Sequence, residues 1–202
     1  GPNSITLVAT DGSSNSSTCV AVITVNDITA PVVTCASSVQ VLDALGSLAI
    51  DPAWLNTSVV EACGIDSIYT SPDTFDCSNV APFNTVTLFV VDASGNVGSC
   101  AGNIEVLDTT APTMLCNDTT ICLTGGFVSV AASDIDGGSF DACGMSPVLS
   151  INGSNNVIYT CADIGPQVAT LQRQDVHGNT NTCTATVTVQ DCTAPTAVCQ
   201  PS

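Results

Sequence analysis

Cysteine has the widest chemical scope of any residue type in this chain, with twelve among 202 residues. Thiolates bind zinc or iron–sulfur clusters, attack as nucleophiles, or oxidise to disulfides. No Cys-x-x-Cys pair occurs and His177 is the only histidine, so metal-ligand spacing is missing. Disulfides are the expected fate, which implies an oxidising compartment. Catalysis lacks its inventory as well. His177 lies in a turn where the matching positions hold Ser13 and Ser94, and no nucleophile–base pair can be assembled around it. No carboxylate pair stands out for glycoside hydrolysis. A non-enzyme is expected.

The acids offer calcium chemistry, which needs six to eight oxygens. Asp134, Asp136 and Asp141 fall close to a Gly-Gly turn, and Asp108 and Asp191 stand at repeat joints. These five are the candidate ligands. Asn56, Glu61 and Trp54 occupy the matching positions of the preceding repeat, which weakens the set, and solvated or turn-forming acids are the favoured reading. No cofactor is required; calcium is the one the chain could take.

These residues sit in a repeat. Asp27-Ile-Thr-Ala-Pro31, Asp108-Thr-Thr-Ala-Pro112 and Asp191-Cys-Thr-Ala-Pro195 each lead to a cysteine four residues on, at Cys35, Cys116 and Cys199. A second motif keeps the same beat: Asp11…Asn15, Asp92…Asn96 and Asp175…Asn179, followed by Cys19, Cys100 and Cys183. Fixed-period self-similarity is the mark of a modular array. The division is 1–27, the closing hairpin of a partial repeat; 28–108 and 109–191, two whole repeats; and 192–202, the opening of another.

Val86, Leu88 and Val90 share one face before the second motif while Thr85 and Thr87 point the other way, and after it Cys100, Gly102, Ile104 and Val106 alternate with polar or small neighbours. Period two with β-branched residues predicts half-buried strands, and the short Gly/Asn/Ser connection makes each pair a hairpin. Further short strands are expected near 31–36, 38–43, 46–50 and 66–70, with one helical turn at Asp51-Pro-Ala-Trp-Leu55. About seven short strands in each repeat predicts tandem immunoglobulin-like β-sandwiches, an all-β class. Arg173 breaks the alternation at an inward position; the favoured reading lets it snorkel outward, and the alternative pairs it with Asp134, Asp136 or Asp175.

If first and last strands run side by side, Cys35–Cys100 and Cys116–Cys183 are reachable, and Cys122–Cys192 follows from the same parallel register. Cys63–Cys77 and Cys143–Cys161 would then close short loops, leaving Cys19 and Cys199 to pair outside the sequence. A second scheme bonds Cys19–Cys35, Cys100–Cys116 and Cys183–Cys199 across the joints. Both remain open.

One Arg and no Lys against eighteen acids give a net charge of −17, which argues against nucleic acid and anionic membrane surfaces. Acidity alone suggests disorder, but only 9% of residues are charged and 45% are apolar, enough for a packed core. No apolar run approaches the roughly 20 residues of a membrane-spanning helix, so no membrane insertion is expected.

Asp-x-Thr-Ala-Pro…Cys, Asp-Ala-Cys-Gly at 141–144, Asp-x-x-Gly-Asn and the closing Cys-Thr-Ala-Thr-Val-Thr-Val run together resemble hyalin-type (HYR-like) immunoglobulin-fold repeats. Such repeats fill giant surface adhesins of Bacteroidetes-type bacteria, including the gliding-motility adhesin. Glu61 for Asp, Ser14 for Gly, and the added Cys122 and Cys192 depart from the pattern. The resemblance implies stalk repeats of a secreted, cell-surface adhesin, stiffened by disulfides, with neighbouring repeats as partners. Two alternatives are a subunit of a laterally self-associating filament or hook, and a glycan- or protein-binding module. At 4% aromatics, the latter would rest on Trp54.

Overall fold

The computed structural model describes residues 1–197. Cys199, and with it any bond it makes, lies outside the described residues. The chain is all-β, with 3-10 turns as its only helical pieces among the described residues. No described helix is long and apolar enough to cross a membrane.

The alternating segments form the expected hairpins. β1 (Pro2–Thr10) pairs antiparallel with β2 (Ser16–Thr24) around the Asp11–Asn15 turn. In the first whole repeat come β3 (Val32–Cys35), β4 (Ser38–Val41), β5 (Ser47–Ala49), β6 (Asn56–Val60), β7 (Ile65–Ser71), β8 (Thr74–Asp76), β9 (Ala81–Asp92) and β10 (Val97–Leu107). In the second come β11 (Thr119–Leu123), β12 (Phe127–Ala131), β13 (Met145–Ile151), β14 (Asn156–Thr160), β15 (Gly165–Asp175) and β16 (Thr180–Asp191). The helical turn forms at Pro52–Trp54, where the Asp51 side chain accepts from the Ala53 amide. β6 and β8 carry no readable pattern in the sequence: Asn56-Thr-Ser is polar, and three residues of β8 are too few to show a period.

Two compact units divide the contacts. The first holds 1–38, 49–73 and 83–105; the second holds 39–48, 74–82 and 106–202. Residues 39–48, 74–82 and 106–108 of the 28–108 repeat therefore belong to the second unit.

In the first unit β7 pairs antiparallel with β9, and β3 with β6. Leu55, Val86, Leu88, Val90 and Ile104 are buried. The backbone is tight at Gly98, where an added Cβ would collide with the carbonyl oxygen of Pro31.

The second unit carries the clearest immunoglobulin-like sandwich. One sheet runs β11-β16-β15-β13, with β11 parallel to β16 and the other pairs antiparallel. The opposing layer holds β12 against β14, with bridges from Thr113 to Phe140 and from Cys116 to Asp136. Inward-facing Ala169, Leu171, Ala185, Val187 and Val189 meet Val130, Ile135, Ile151 and Tyr159 in one core. Parallel pairing of the first strand with the last is what lets both layers close over a single apolar interior.

The parallel register sets the sulfur chemistry. Cys35 is bonded to Cys100, and Cys116 to Cys183. Register places Cys122 opposite Gln190, within reach of Cys192, to which it is bonded. The short loops expected from Cys63–Cys77 and Cys143–Cys161 do not form. Cys77 is bonded to Cys143 instead, both within the second unit, and Cys63 and Cys161 are exposed free thiols with Cys19. The reason is packing. The 74–82 segment lies in the same compact unit as Cys143, so tertiary contacts and not loop length set this pairing.

Candidate functional site

The three repeated motifs converge on one clasp in each whole repeat. At its centre is the Asp-x-x-Gly-Asn turn. In the second repeat Asp175 Oδ1 accepts from the amides of His177 and Asn179, each at 2.8 Å. Asn179 Nδ2 donates to Asp175 Oδ2 at 2.7 Å and reaches back to the carbonyl oxygen of Asp108 at 3.1 Å. Thus the Asn of one motif grips the Asp of another from a sequence distance of 71 residues. The third motif joins through the amide of Val176, which donates to the Gly144 carbonyl of Asp-Ala-Cys-Gly.

The first repeat builds the same clasp. Asn96 Nδ2 donates to Asp92 Oδ2 at 2.7 Å and to the Asp27 carbonyl at 3.2 Å, and the Ala93 amide donates to Gly64 O. Each joint Asp also shapes its own strand entry: Asp27, Asp108 and Asp191 accept from the amides of Thr29, Thr110 and Thr193. Such local Asx turns divert the chain from a continuing strand. The following Pro31 and Pro112 are buried, and Asn181 Nδ2 donates to the Pro112 carbonyl at 2.9 Å. The motifs therefore recur in register because they are parts of one fastening.

Electrostatics within the clasp are divided. Burial alone would raise the Asp92 carboxyl, but the Asn96 side chain and the amides of Asn96, Ser94 and Gly95 outweigh it and hold it below the ordinary value. In the exposed hairpin, Asn15 first and then the amides of Asn15 and Ser13 depress Asp11. Asp141 goes the other way: burial raises it, with the Asp108 and Asp175 carboxylates adding to the effect against the Cys143 amide. The Cys63 thiol is raised chiefly by the neighbouring Asp27 carboxylate.

Several solved structures resemble this chain at low sequence identity. No family model matches the chain, and no curated protein does. A structure of three titin immunoglobulin domains shares 9% identity over 80% of this chain and 66% of its own length, with a TM-score of 0.33. Cadherin domains 1–4 of protocadherin gamma B7 share 11% over 94% of this chain and 58% of that one (TM-score 0.37). The human desmocollin-1 ectodomain shares 14% over 98% and 52% (TM-score 0.31). This chain thus spans less than two thirds of each of these three.

Of the five calcium candidates, only Asp108 and Asp141 come together, with Cys143 as third neighbour; Asp27, Glu61 and Cys63 form the matching group in the first repeat. Cys143 is spent on its disulfide, and Asp108 Oδ2 lies 3.0 Å from His177 Nδ1. Asp134 and Asp136 are occupied elsewhere. Asp134 Oδ2 accepts from the Ala131 amide. Asp136 accepts from Ser139 Oγ and forms an ion pair with Arg173 Nη1 at 2.7 Å. Asp191 is exposed, holding its turn.

Arg173 does not snorkel free: both members of its pair with Asp136 are mostly buried, so the alternative reading of that position is the one observed. His177 is more than a turn filler, since its ring abuts the nearly buried Asp108 carboxylate. No local pattern announced that contact, because the partners are 69 residues apart. Sequence reasoning also missed the stacked Tyr69 and Phe89 rings, 5.1 Å between centroids, which become neighbours only through the β7–β9 pairing.

Proposed function

We propose that this chain is a load-bearing spacer of an extracellular, cell-surface adhesin, mechanical and not enzymatic in its role. Four disulfides within the described chain are those of an oxidising, extracellular setting. One observation carries the mechanical reading: the first strand region of each whole repeat is bonded to its last strand, across sequence separations of 65 and 67 residues. Tension entering at Cys35 passes to Cys100 through sulfur, and tension entering at Cys116 passes to Cys183. The residues between are outside the load path. The resemblance of the motifs to HYR-like adhesin repeats supplies the surface-attachment part of the proposal, and gliding is its most specific form.

Pulling the single chain from its ends tests this. With disulfides intact, neither the loop closed by Cys35–Cys100 nor the one closed by Cys116–Cys183 contributes to extension. After reduction each whole repeat releases an additional length of about 230 Å, at roughly 3.5 Å per residue. Equal extension in oxidised and reduced chains would overturn the proposal.

A further inference from the structure

The Cys77–Cys143 bond joins unlike positions of the repeat. By motif alignment, Cys77 is matched by Cys161 and Cys143 by Cys63. The two exposed thiols are therefore copies of the two halves of a bond already made. Their settings match as well as their positions. Cys77 opens a 3-10 turn capped by Asp76, and its Sγ lies 3.7 Å from the carbonyl oxygen of Gly46, a residue at φ +73°. Cys161 opens a 3-10 turn capped by Thr160, and its Sγ lies 3.7 Å from the carbonyl oxygen of Gly126, at φ +90°. On the other half, the Cys143 amide donates to Asp141 at 2.8 Å and the Cys63 amide to Glu61 at 2.7 Å. The following glycines, Gly144 and Gly64, accept from Val176 and Ala93 in the same way.

We infer that Cys161 and Cys63 are the unspent halves of an inter-repeat staple: Cys161 bonds the Cys63-type cysteine of a following copy of the repeat, and Cys63 bonds the Cys161-type cysteine of a preceding one. The partner is thus another copy of this repeat, recognised by its Asp/Glu-Ala-Cys-Gly turn. The 77–143 loop contains the Asp108–Pro112 joint, so each staple bridges a joint just as the Cys35–Cys100 type bridges a repeat. Strain at a joint is then carried by a covalent bond in parallel with the clasp.

The redox balance is ordinary thiol–disulfide exchange. With oxidised glutathione as oxidant, the Cys161 thiolate attacks one sulfur and releases one glutathione. The neighbouring copy's thiolate then attacks the mixed disulfide at the Cys161 sulfur and releases the second. Two protons leave the protein thiols, and two electrons reduce one glutathione disulfide to two glutathiones.

Peptide mapping under non-reducing conditions after thiol alkylation tests the staple on two chains. In the 202-residue chain the label goes to Cys63 and Cys161 and spares Cys77 and Cys143; a Cys63–Cys77 or Cys143–Cys161 peptide overturns the inference. In a lengthened chain, residues 32–202 follow Pro195 directly, which preserves the motif register. After glutathione oxidation, Cys161 of the leading segment is joined to Cys63 of the appended one, with loss of those two labelling sites. Cys161→Ser in the leading segment restores label at the appended Cys63. Full labelling of both cysteines in the lengthened chain, or pairing of either elsewhere, refutes the staple. Neither result depends on adhesion, so a failed staple and a failed adhesin assignment are distinguishable.

Discussion

At the scale of single residues, the Asn of the Asp-x-x-Gly-Asn turn does two jobs with one amide. Asn179 satisfies the Asp175 carboxylate, itself only 1% exposed, and ties it to the joint through the Asp108 carbonyl. Asn179→Ala leaves a buried acceptor short of a donor, and such a loss costs about 1–3 kcal/mol. Urea unfolding of the second unit is expected to show that loss as a lower midpoint with unchanged slope. Asn15→Ala, whose side chain bonds only the exposed Asp11, is expected to leave the midpoint in place. The Arg173–Asp136 pair makes a second residue-level case. Asp136 also accepts from Ser139 and the Gly138 amide, so Asp136→Ala strands several donors and a mostly buried guanidinium. About 2–3 kcal/mol is expected after allowing for residual solvent screening. Arg173→Met keeps the apolar stem and the Ser139 bonds, so less than half that loss is expected from the same unfolding measurement.

At the scale of the element, the hairpin turns are acid-sensitive. Asp92 and Asp11 have folded-state pKa values below their unfolded ones, despite the burial that works against Asp92. A depressed carboxyl adds stability that is present above the unfolded pKa and is lost as pH falls through the folded one. Asp141, raised first by burial, has the opposite sign: its contribution is present at low pH and disappears as pH rises through its folded value. Amide exchange at Ser94 and Asn96 is therefore expected to accelerate as pH drops below about 4, after correction for intrinsic rates. In Asp92→Asn the site no longer titrates, and that acid-dependent opening is expected to flatten.

For the whole molecule, the staples supply much of the stability that small sandwiches lack. Closing a loop of 65 to 67 residues contributes about 4 kcal/mol by the chain-entropy model, against a typical domain total of about 5–15 kcal/mol. Replacing Cys116 and Cys183 together with Ala is expected to lower the melting midpoint of the second unit in calorimetry by ten degrees or more, on the order of what 4 kcal/mol does to a domain of this size. Reducing the wild-type chain should lower it at least as far, because Cys122–Cys192 and Cys77–Cys143 open as well.

The amino-acid sequence by itself determined the long alternating strands and their hairpins. Val86-Thr-Leu-Phe-Val90 alternates because a pleated strand presents successive side chains to opposite faces, and Asp and Asn at either end of a short turn close it through bonds four residues apart. Those interactions are local, so spacing reveals them. Tertiary structure alone decided which distant groups meet: Cys77 with Cys143 and not Cys63, Arg173 with Asp136, His177 with Asp108. Their partners lie 37 to 69 residues away. Those choices follow from how apolar faces pack and how strands register, and no spacing along the chain encodes them.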